Sequence, residues 1–411
     1  MKILIVNTFD TNGGAARAAF RLHEALLSQG VNSTMLVTHK EGDNFRVIQQ
    51  FSRLGKVFNQ IQLLLTNILI NRYKKRSKSL FSSSWIPFSN FSSVINRLDP
   101  DIVHLHWISG GMLNFSELLK IKAPIVWSLH DMWSFTGGCH YDKNCGNYLK
   151  ECGYCPILGS NTENDLSSKI FKHKKRILSK VTNLTIVGLS NWLKDCAEKS
   201  SLLKDSTVVN LPNPINTNLY RPLGREHSRN LWSLPKDKKL VLFGAVGAMS
   251  DSRKGFKQLS EALKVLPDKN IEFVIFGSSK PEYDDVFDIK THYAGVLKDD
   301  MSLVTLYNAV DVMVVPSLQE NLSNAIMESL SCGTPVVGFD IGGNKDMILH
   351  KVNGYLAKPF NKQDLANGIS WVLNSSNYEE IRCNSRKKVL NEFSNDVVGK
   401  KYIKLYEDII K

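Results

Sequence analysis

Short apolar runs recur along this chain, each followed by a helical stretch, and the series starts twice. Lys2 to Val6 opens the first series, a Gly13-Gly14 turn follows, and a helical run from Ala15 to Gln29 ends at Gly30 before the β-rich run Ser33 to Thr38. Parallel neighbours can be joined only by a crossover, so strand, helix and strand in this order form the unit of a parallel sheet covered by helices on both faces. Runs at Ile102–Leu105, Ile125–Leu129, Leu184–Val187 and Thr207–Val209 continue it. The second series has strand candidates at Leu240–Phe243, Glu272–Phe276, Val312–Val315 and Val336–Phe339, with helical stretches such as Phe256–Val265 and Ala325–Ser331 between them.

The two series meet at Leu211-Pro212-Asn213-Pro214, where the prolines exclude helix and would interrupt a central strand. A chain of 411 residues also exceeds what one core usually supports. The expected organisation is an α/β fold of two Rossmann-like domains, residues 1–210 and 211–390, with the carboxyl ends of their strands facing a shared cleft. Asn391 to Lys411 reads as a helix with apolar Val397, Val398, Ile403, Leu405, Ile409 and Ile410.

Met1 to Asn7 reads as a strand rather than an export signal. The apolar stretch Ile61 to Ile70 contains Gln62, Thr66 and Asn67 and falls short of the ~20 residues that span a bilayer. The expected location is therefore cytoplasmic, where seven cysteines stay reduced or bind metal. The net charge of +13 is uneven. Residues 1–210 carry 26 Lys and Arg against 15 Asp and Glu, and residues 211–411 carry 26 against 24. A basic first half suits an anionic partner: a membrane surface, a pyrophosphate-linked acceptor or nucleic acid.

The segment Pro316 to Glu328 leaves a strand, crosses a polar loop and enters a helix. Glu320 belongs to the loop and can accept hydrogen bonds from sugar hydroxyls, while Glu328 on the helix can hold a ribose diol. The helix start at Ser323 and Asn324 offers N–H groups to a phosphate. The plainer alternative is a surface helix capped by Ser323, with Glu328 in solvent. Arg253 and Lys254, before Gly255 in a strand-to-helix loop, suit a diphosphate, since cations at a helix start oppose the dipole unless an anion joins them. Gly13 and Gly14 let backbone approach a phosphate at a helix terminus. His130 and Asp131 close the strand Ile125–Leu129. His104 and His106 flank Leu105 and so share one face, which makes them weaker candidates for chemistry.

Glu320 and Glu328 in this context, with the Gly-Gly loop, the His-Asp pair, the Arg-Lys-Gly and Cys332 to Val337 in order, resemble the family 4 glycosyltransferases, retaining enzymes of the GT-B fold. Trp127–Cys155 and Gly244–Phe256 look most similar to members of the colanic-acid, polysaccharide-biosynthesis type. The resemblance implies transfer of a sugar from a nucleotide-diphosphate donor to a glycan or lipid-linked acceptor, with residues 1–210 on the acceptor side and 211–390 binding the donor. It also implies that residues 391–411 return to the first domain. By position, Glu320 would contact the donor sugar, Glu328 the ribose, and Asn321 and Leu322 would offer backbone amides. Arg253 and Lys254 would neutralise the diphosphate, Gly13 and Gly14 would lie beside it, and His130 would face the reacting sugar. One departure is Ala248, which stands after Gly247 where members commonly carry the arginine. A GT-B epimerase or phosphorylase is the alternative enzyme. A basic nucleic-acid-binding protein is the alternative of another class, and it lacks a docking element.

Asp99-Pro100-Asp101 has the Asp-x-Asp form that binds a metal in other glycosyltransferases, but it lies at the amino end of its strand and reads as a turn. No cofactor is then required for catalysis. Cys139, Cys145, Cys152 and Cys155, with His140 adjacent, fit a structural zinc, although the longer spacers are not those of a standard finger, and free thiols or a disulfide remain open. Leu54 to Lys78 places Val57, Ile61, Leu64, Leu65, Ile68 and Leu69 at helical spacing before Arg72, Lys74, Lys75, Arg76 and Lys78. This fits either a helix packed on the core or peripheral docking at the inner membrane face. Lys172, Lys174, Lys175 and Arg176 would add to such a surface.

Overall fold

A computed structural model of the chain describes residues 1–50, 61, 64–83, 91–244, 251–268, 270–278 and 289–411. Val57 and the Gly247-Ala248 position lie outside them. The chain divides into two units, Met1–Asn213 with Val398–Lys411, and Pro214–Val397.

The first unit is built on seven parallel strands: β1 (Lys2–Phe9), β2 (Asn32–His39), β3 (Val47–Gln49), β4 (Ile102–Leu105), β5 (Ile125–Leu129), β6 (Leu184–Gly188) and β7 (Thr207–Asn210). They lie in the order β3-β2-β1-β4-β5-β6-β7. Ile3 to Val6 is buried throughout, as expected of a strand covered on both faces. In the helix Gly14–Ser28 the buried side includes Ala16, Ala19, Leu22, Ala25 and Leu26, and the alanines let it lie close to the sheet. Trp127, Phe115 and Phe171 fill the core on the β4–β6 side.

The second unit has six parallel strands: β8 (Lys239–Gly244), β9 (Ile271–Phe276), β10 (Thr291–Gly295), β11 (Val312–Val315), β12 (Val336–Phe339) and β13 (Gly354–Ala357). Their order is β10-β9-β8-β11-β12-β13. Its core joins Val241, Phe243, Phe273, Val312 and Val337 to Leu259 and Leu365 of the covering helices. In each sheet the order reverses once, at β1/β4 and at β8/β11, and such a reversal opens a crevice at the carboxyl ends of the two strands. β3, β10 and β13 are edge strands with no counterpart in the sequence reading, being short and only partly buried.

The last helix, Asn395–Ile410, crosses the unit boundary, and its buried positions correct the apolar set read from sequence. Val398, Tyr402 and Tyr406 are buried, four residues apart, whereas Ile403, Leu405 and Ile409 are partly exposed and Ile410 is exposed. Tyr406 Oη lies 2.6 Å from His104 Nδ1, and Tyr402 Oη lies 3.3 Å from Ser128 Oγ. No helix among the described residues is long and apolar enough to cross a membrane. Since both tyrosines are fully buried, Tyr402→Ala should lower unfolding free energy by about 3 kcal/mol, read by denaturant titration.

Candidate active site

At the β8/β11 reversal, the loop before the helix Phe256–Lys264 meets the loop after β11. Gly255 has φ +74°, and a Cβ there would lie 1.8 Å from the Pro316 carbonyl oxygen, so only glycine lets the two backbones touch. Leu318 N–H donates to the Arg253 carbonyl at 2.8 Å and ties the loops together. The contact brings Lys254 Nζ within 2.8 Å of Glu320 Oε2, with Arg253 Nη1 at 3.8 Å. Ser317 Oγ donates to the same carboxylate oxygen at 3.1 Å. Asp251 and the Gln319 carbonyl hold the Arg253 guanidinium at 3.0 and 3.2 Å. Burial works to raise the Glu320 pKa, but Lys254 and then Arg253 outweigh it and hold the carboxyl below its usual range.

Asn321, Leu322 and Ser323 are buried as the chain turns into the helix Asn324–Ser331. Ser323 stands at the cap position, but its hydroxyl makes no capping hydrogen bond. Glu328 is 4% exposed, which removes the solvated alternative. Tyr307 Oη donates to Glu328 Oε2 at 2.9 Å. Burial pushes the Tyr307 phenol well above its ordinary pKa, so it keeps the proton it donates. Tyr307 comes from a neighbouring helix, Asp300–Ala309. Its only signal in the sequence was an aromatic in an apolar stretch.

In the first unit, the β1/β4 reversal places Gly13 at the start of its helix with φ +93° and open space where a Cβ would be. His106 and His130, at the ends of neighbouring strands, stand 2.9 Å apart from Nδ1 to Nε2. Burial drives His130 down to about 4 and His106 well below its ordinary value, so both are neutral at pH 7. Asp131 is committed elsewhere. It accepts from Trp107 Nε1 at 3.1 Å and from Trp133 N–H at 2.8 Å, and pairs with His140 Nδ1 at 2.6 Å. Trp107 and His140 are thus parts of this site that sequence reasoning did not assign. Asp99-Pro100-Asp101 is a turn, with Asp99 at φ +46° and Asp101 accepting from the Lys2 N–H.

Among the described residues, no group of three or more His, Cys, Asp or Glu side chains could hold a metal ion. Cys139 and Cys155 pack with Ile70, Phe81, Ile157, Leu158 and Ile170, while Cys145 stays part-exposed, and all four are free thiols. Lys174 corrects the sequence reading. It is fully buried, lies over the Phe115 and Trp133 rings at 4.8 and 4.4 Å, and donates to the carbonyls of Trp133 and Thr136, so it adds nothing to the basic surface.

Family models for glycosyltransferase family 4 and for glycosyl transferases group 1 match residues 12–218 and 241–375. An uncharacterized glycosyltransferase of Methanocaldococcus jannaschii is 33% identical over 78% of this chain and 86% of its own length. WcaC of Escherichia coli, a glycosyl transferase named for colanic acid biosynthesis, is 25% identical over 82% of each chain. An N-acetylgalactosaminyltransferase of Campylobacter jejuni, named for its diphospho-undecaprenol acceptor, is 28% identical over 48% of this chain and 53% of its own. Among solved structures, sucrose-phosphate synthase of Thermosynechococcus elongatus has a TM-score of 0.70 at 17% identity, covering 100% of this chain and 99% of that one. Anabaena HepE in complex with UDP-glucose has a TM-score of 0.62 at 15% identity, covering 99% and 100%. These structures share the GT-B fold.

Replacing Lys254 by Met strands the Glu320 carboxylate among buried groups and should cost up to about 3 kcal/mol at pH 7. The sign of the pH dependence follows from the depressed pKa. The pair contributes above the unfolded value of ~4.3 and stops contributing as pH falls through the lower folded value. Denaturant titrations of wild type and Lys254→Met should therefore converge only once pH has fallen below the folded pKa of Glu320.

Proposed function

The chain belongs to glycosyltransferase family 4, and on that premise we propose that it moves a sugar, with retention, from a nucleoside-diphosphate sugar to a glycan or lipid-linked acceptor of a surface polysaccharide. The carrying observation is the Lys254–Glu320–Arg253 cluster at the β8/β11 reversal. Breaking a glycosidic bond to a diphosphate leaves negative charge on the departing oxygens. Lys254 and Arg253, already fixed by Glu320, Gln319 and Asp251, are cations that need little rearrangement to meet it. Glu320 accepts from hydroxyls of the donor sugar. Glu328, held by Tyr307, accepts from the ribose. Backbone amides at Asn321 and Leu322 and the helix start at Ser323 complete the diphosphate contacts. The family resemblance assigns Gly13 and Gly14 to a phosphate and His130 to the reacting sugar.

Retention follows from the family resemblance. As the bond to the diphosphate breaks, charge builds on the sugar ring, and the acceptor attacks from the face the diphosphate leaves. The UDP-glucose complex of HepE and the lipid-linked acceptor in the name of the Campylobacter relative support the donor and acceptor classes.

A peripheral position at the inner membrane face fits the surface of residues 61–78. In the helix over 64–71, Leu64, Leu65 and Ile68 are exposed, Leu64 at 62% and Ile68 at 53%, while Ile70 is buried against the cysteine loop. Arg72, Lys74, Lys75, Arg76 and Lys78 follow, all exposed. An apolar face beside a basic cluster suits an anionic lipid interface.

Nucleoside-diphosphate release from a panel of nucleotide sugars tests the reaction. Lys254→Ala should lower kcat by roughly 100-fold. Glu320→Gln should leave free nucleoside-diphosphate affinity nearly unchanged while turnover falls, and Glu328→Ala should weaken that affinity. Wild-type turnover in both Lys254→Ala and Glu320→Gln would refute the assignment. For the membrane, serine at Lys74, Lys75 and Arg76 should weaken co-sedimentation with anionic vesicles, by about 1 kcal/mol per charge. Equal sedimentation of variant and wild type at low salt would count against docking.

A further inference from the structure

The two histidines that close β4 are used unequally. His104 spends both ring nitrogens, with Tyr406 Oη 2.6 Å from Nδ1 and Ser128 Oγ 2.8 Å from Nε2. His106 is 2% exposed and spends one. Its Nδ1 faces His130 Nε2 at 2.9 Å, whereas its own Nε2 is buried without a hydrogen-bond partner. The ring lies between those of His104 and His130, at centroid distances of 4.4 and 5.2 Å.

One hydrogen stands in the contact between His106 and His130, and each neutral ring carries only one. If His130 supplied it from Nε2, the hydrogen of His106 would sit on its own Nε2 as a buried donor with nothing to receive it. If His106 supplies it from Nδ1, that Nε2 is bare. A buried donor left without an acceptor costs on the order of 1–3 kcal/mol, and orphaned buried N–H groups are rarer than under-satisfied acceptors.

We propose that His106 is a positioning residue for the transfer, donating from Nδ1 to Nε2 of His130 and so fixing the His130 tautomer that carries its hydrogen on Nδ1. In that tautomer the second nitrogen of His130 is a donor. It can orient a sugar oxygen but cannot take a proton there. This inference rests on the assignment of His130 to the reacting sugar.

Nitrogen-15 NMR of histidine-labelled protein at pH 7, with His130 assigned by the signals lost in His130→Gln, reads the tautomer without any variant of His106. The expected spectrum has His130 protonated on Nδ1 and bare on Nε2. His106→Phe keeps a flat ring but cannot donate. It should mix the His130 tautomers and lower kcat at least about tenfold while the KM for the nucleotide sugar changes little. His106→Asn returns an amide N–H to the δ position and should restore most of both signals. A wild-type His130 with its hydrogen on Nε2 overturns the inference whatever the activity, and so does an unchanged kcat in His106→Phe. Absence of turnover with every nucleotide sugar overturns the transfer reading and the positioning role with it, while the tautomer is still read from the spectrum.

Discussion

A parallel sheet whose strand order reverses must send two neighbouring connections to opposite faces, and the gap between them cannot be filled by either. In the second unit that gap lies between β8 and β11. Its floor is a buried carboxylate, Glu320, which the interior would tolerate poorly if alone. Lys254 and Arg253 relieve it, and they reach it because Gly255 lets their loop press on Pro316. The ion cluster is thus a folding requirement of this crevice. It also leaves two cations oriented, which is the arrangement a departing diphosphate needs.

The first unit solves a similar problem with neutral groups. Three histidines stand in a row at the ends of β4 and β5, and burial keeps His104, His106 and His130 uncharged. The last helix supplies Tyr402 and Tyr406 to His104 and Ser128. A segment at the far end of the chain thereby packs beneath the residue proposed to face the sugar. Asp131 does not join the row. Trp107, Trp133 and His140 hold it, and it fixes the loop that follows β5.

Much of this was legible in the sequence because parallel strands buried on both faces are continuous apolar runs, and β4, β5, β11 and β12 fall on their predicted residues. The loop placement of Glu320 and Lys254 was legible from the strand and helix patterns that flank them. Tyr307 was not, since a buried tyrosine whose hydroxyl serves a carboxylate has the same sequence pattern as one that only fills a core. The edge strands β3, β10 and β13 were not legible because partial exposure breaks the apolar run, whereas the edge strand β7 was read from its valines. The cysteine spacing reports only reach along the chain, and in the structure Cys139 and Cys155 join an apolar cluster with Ile70 and Phe81.

That cluster gives the cysteine loop an anchoring role. Ile70, Leu69 and Tyr73 pack against it, the Tyr73 hydroxyl accepts from Leu166 N–H at 2.8 Å, and Ser77 N–H donates to the Ile157 carbonyl at 2.8 Å. The loop therefore anchors the segment that carries the exposed leucines and the basic cluster. A helix whose polar and apolar sides were set only by its own core would turn Leu64 and Ile68 inward. Here Ile70 and Thr66 are buried in their place. Because burying Leu64 and Ile68 would be worth about 2 kcal/mol each, their outward direction costs stability unless something apolar covers them. The lipid interface proposed above, reached by the same segment's cations, would provide that cover.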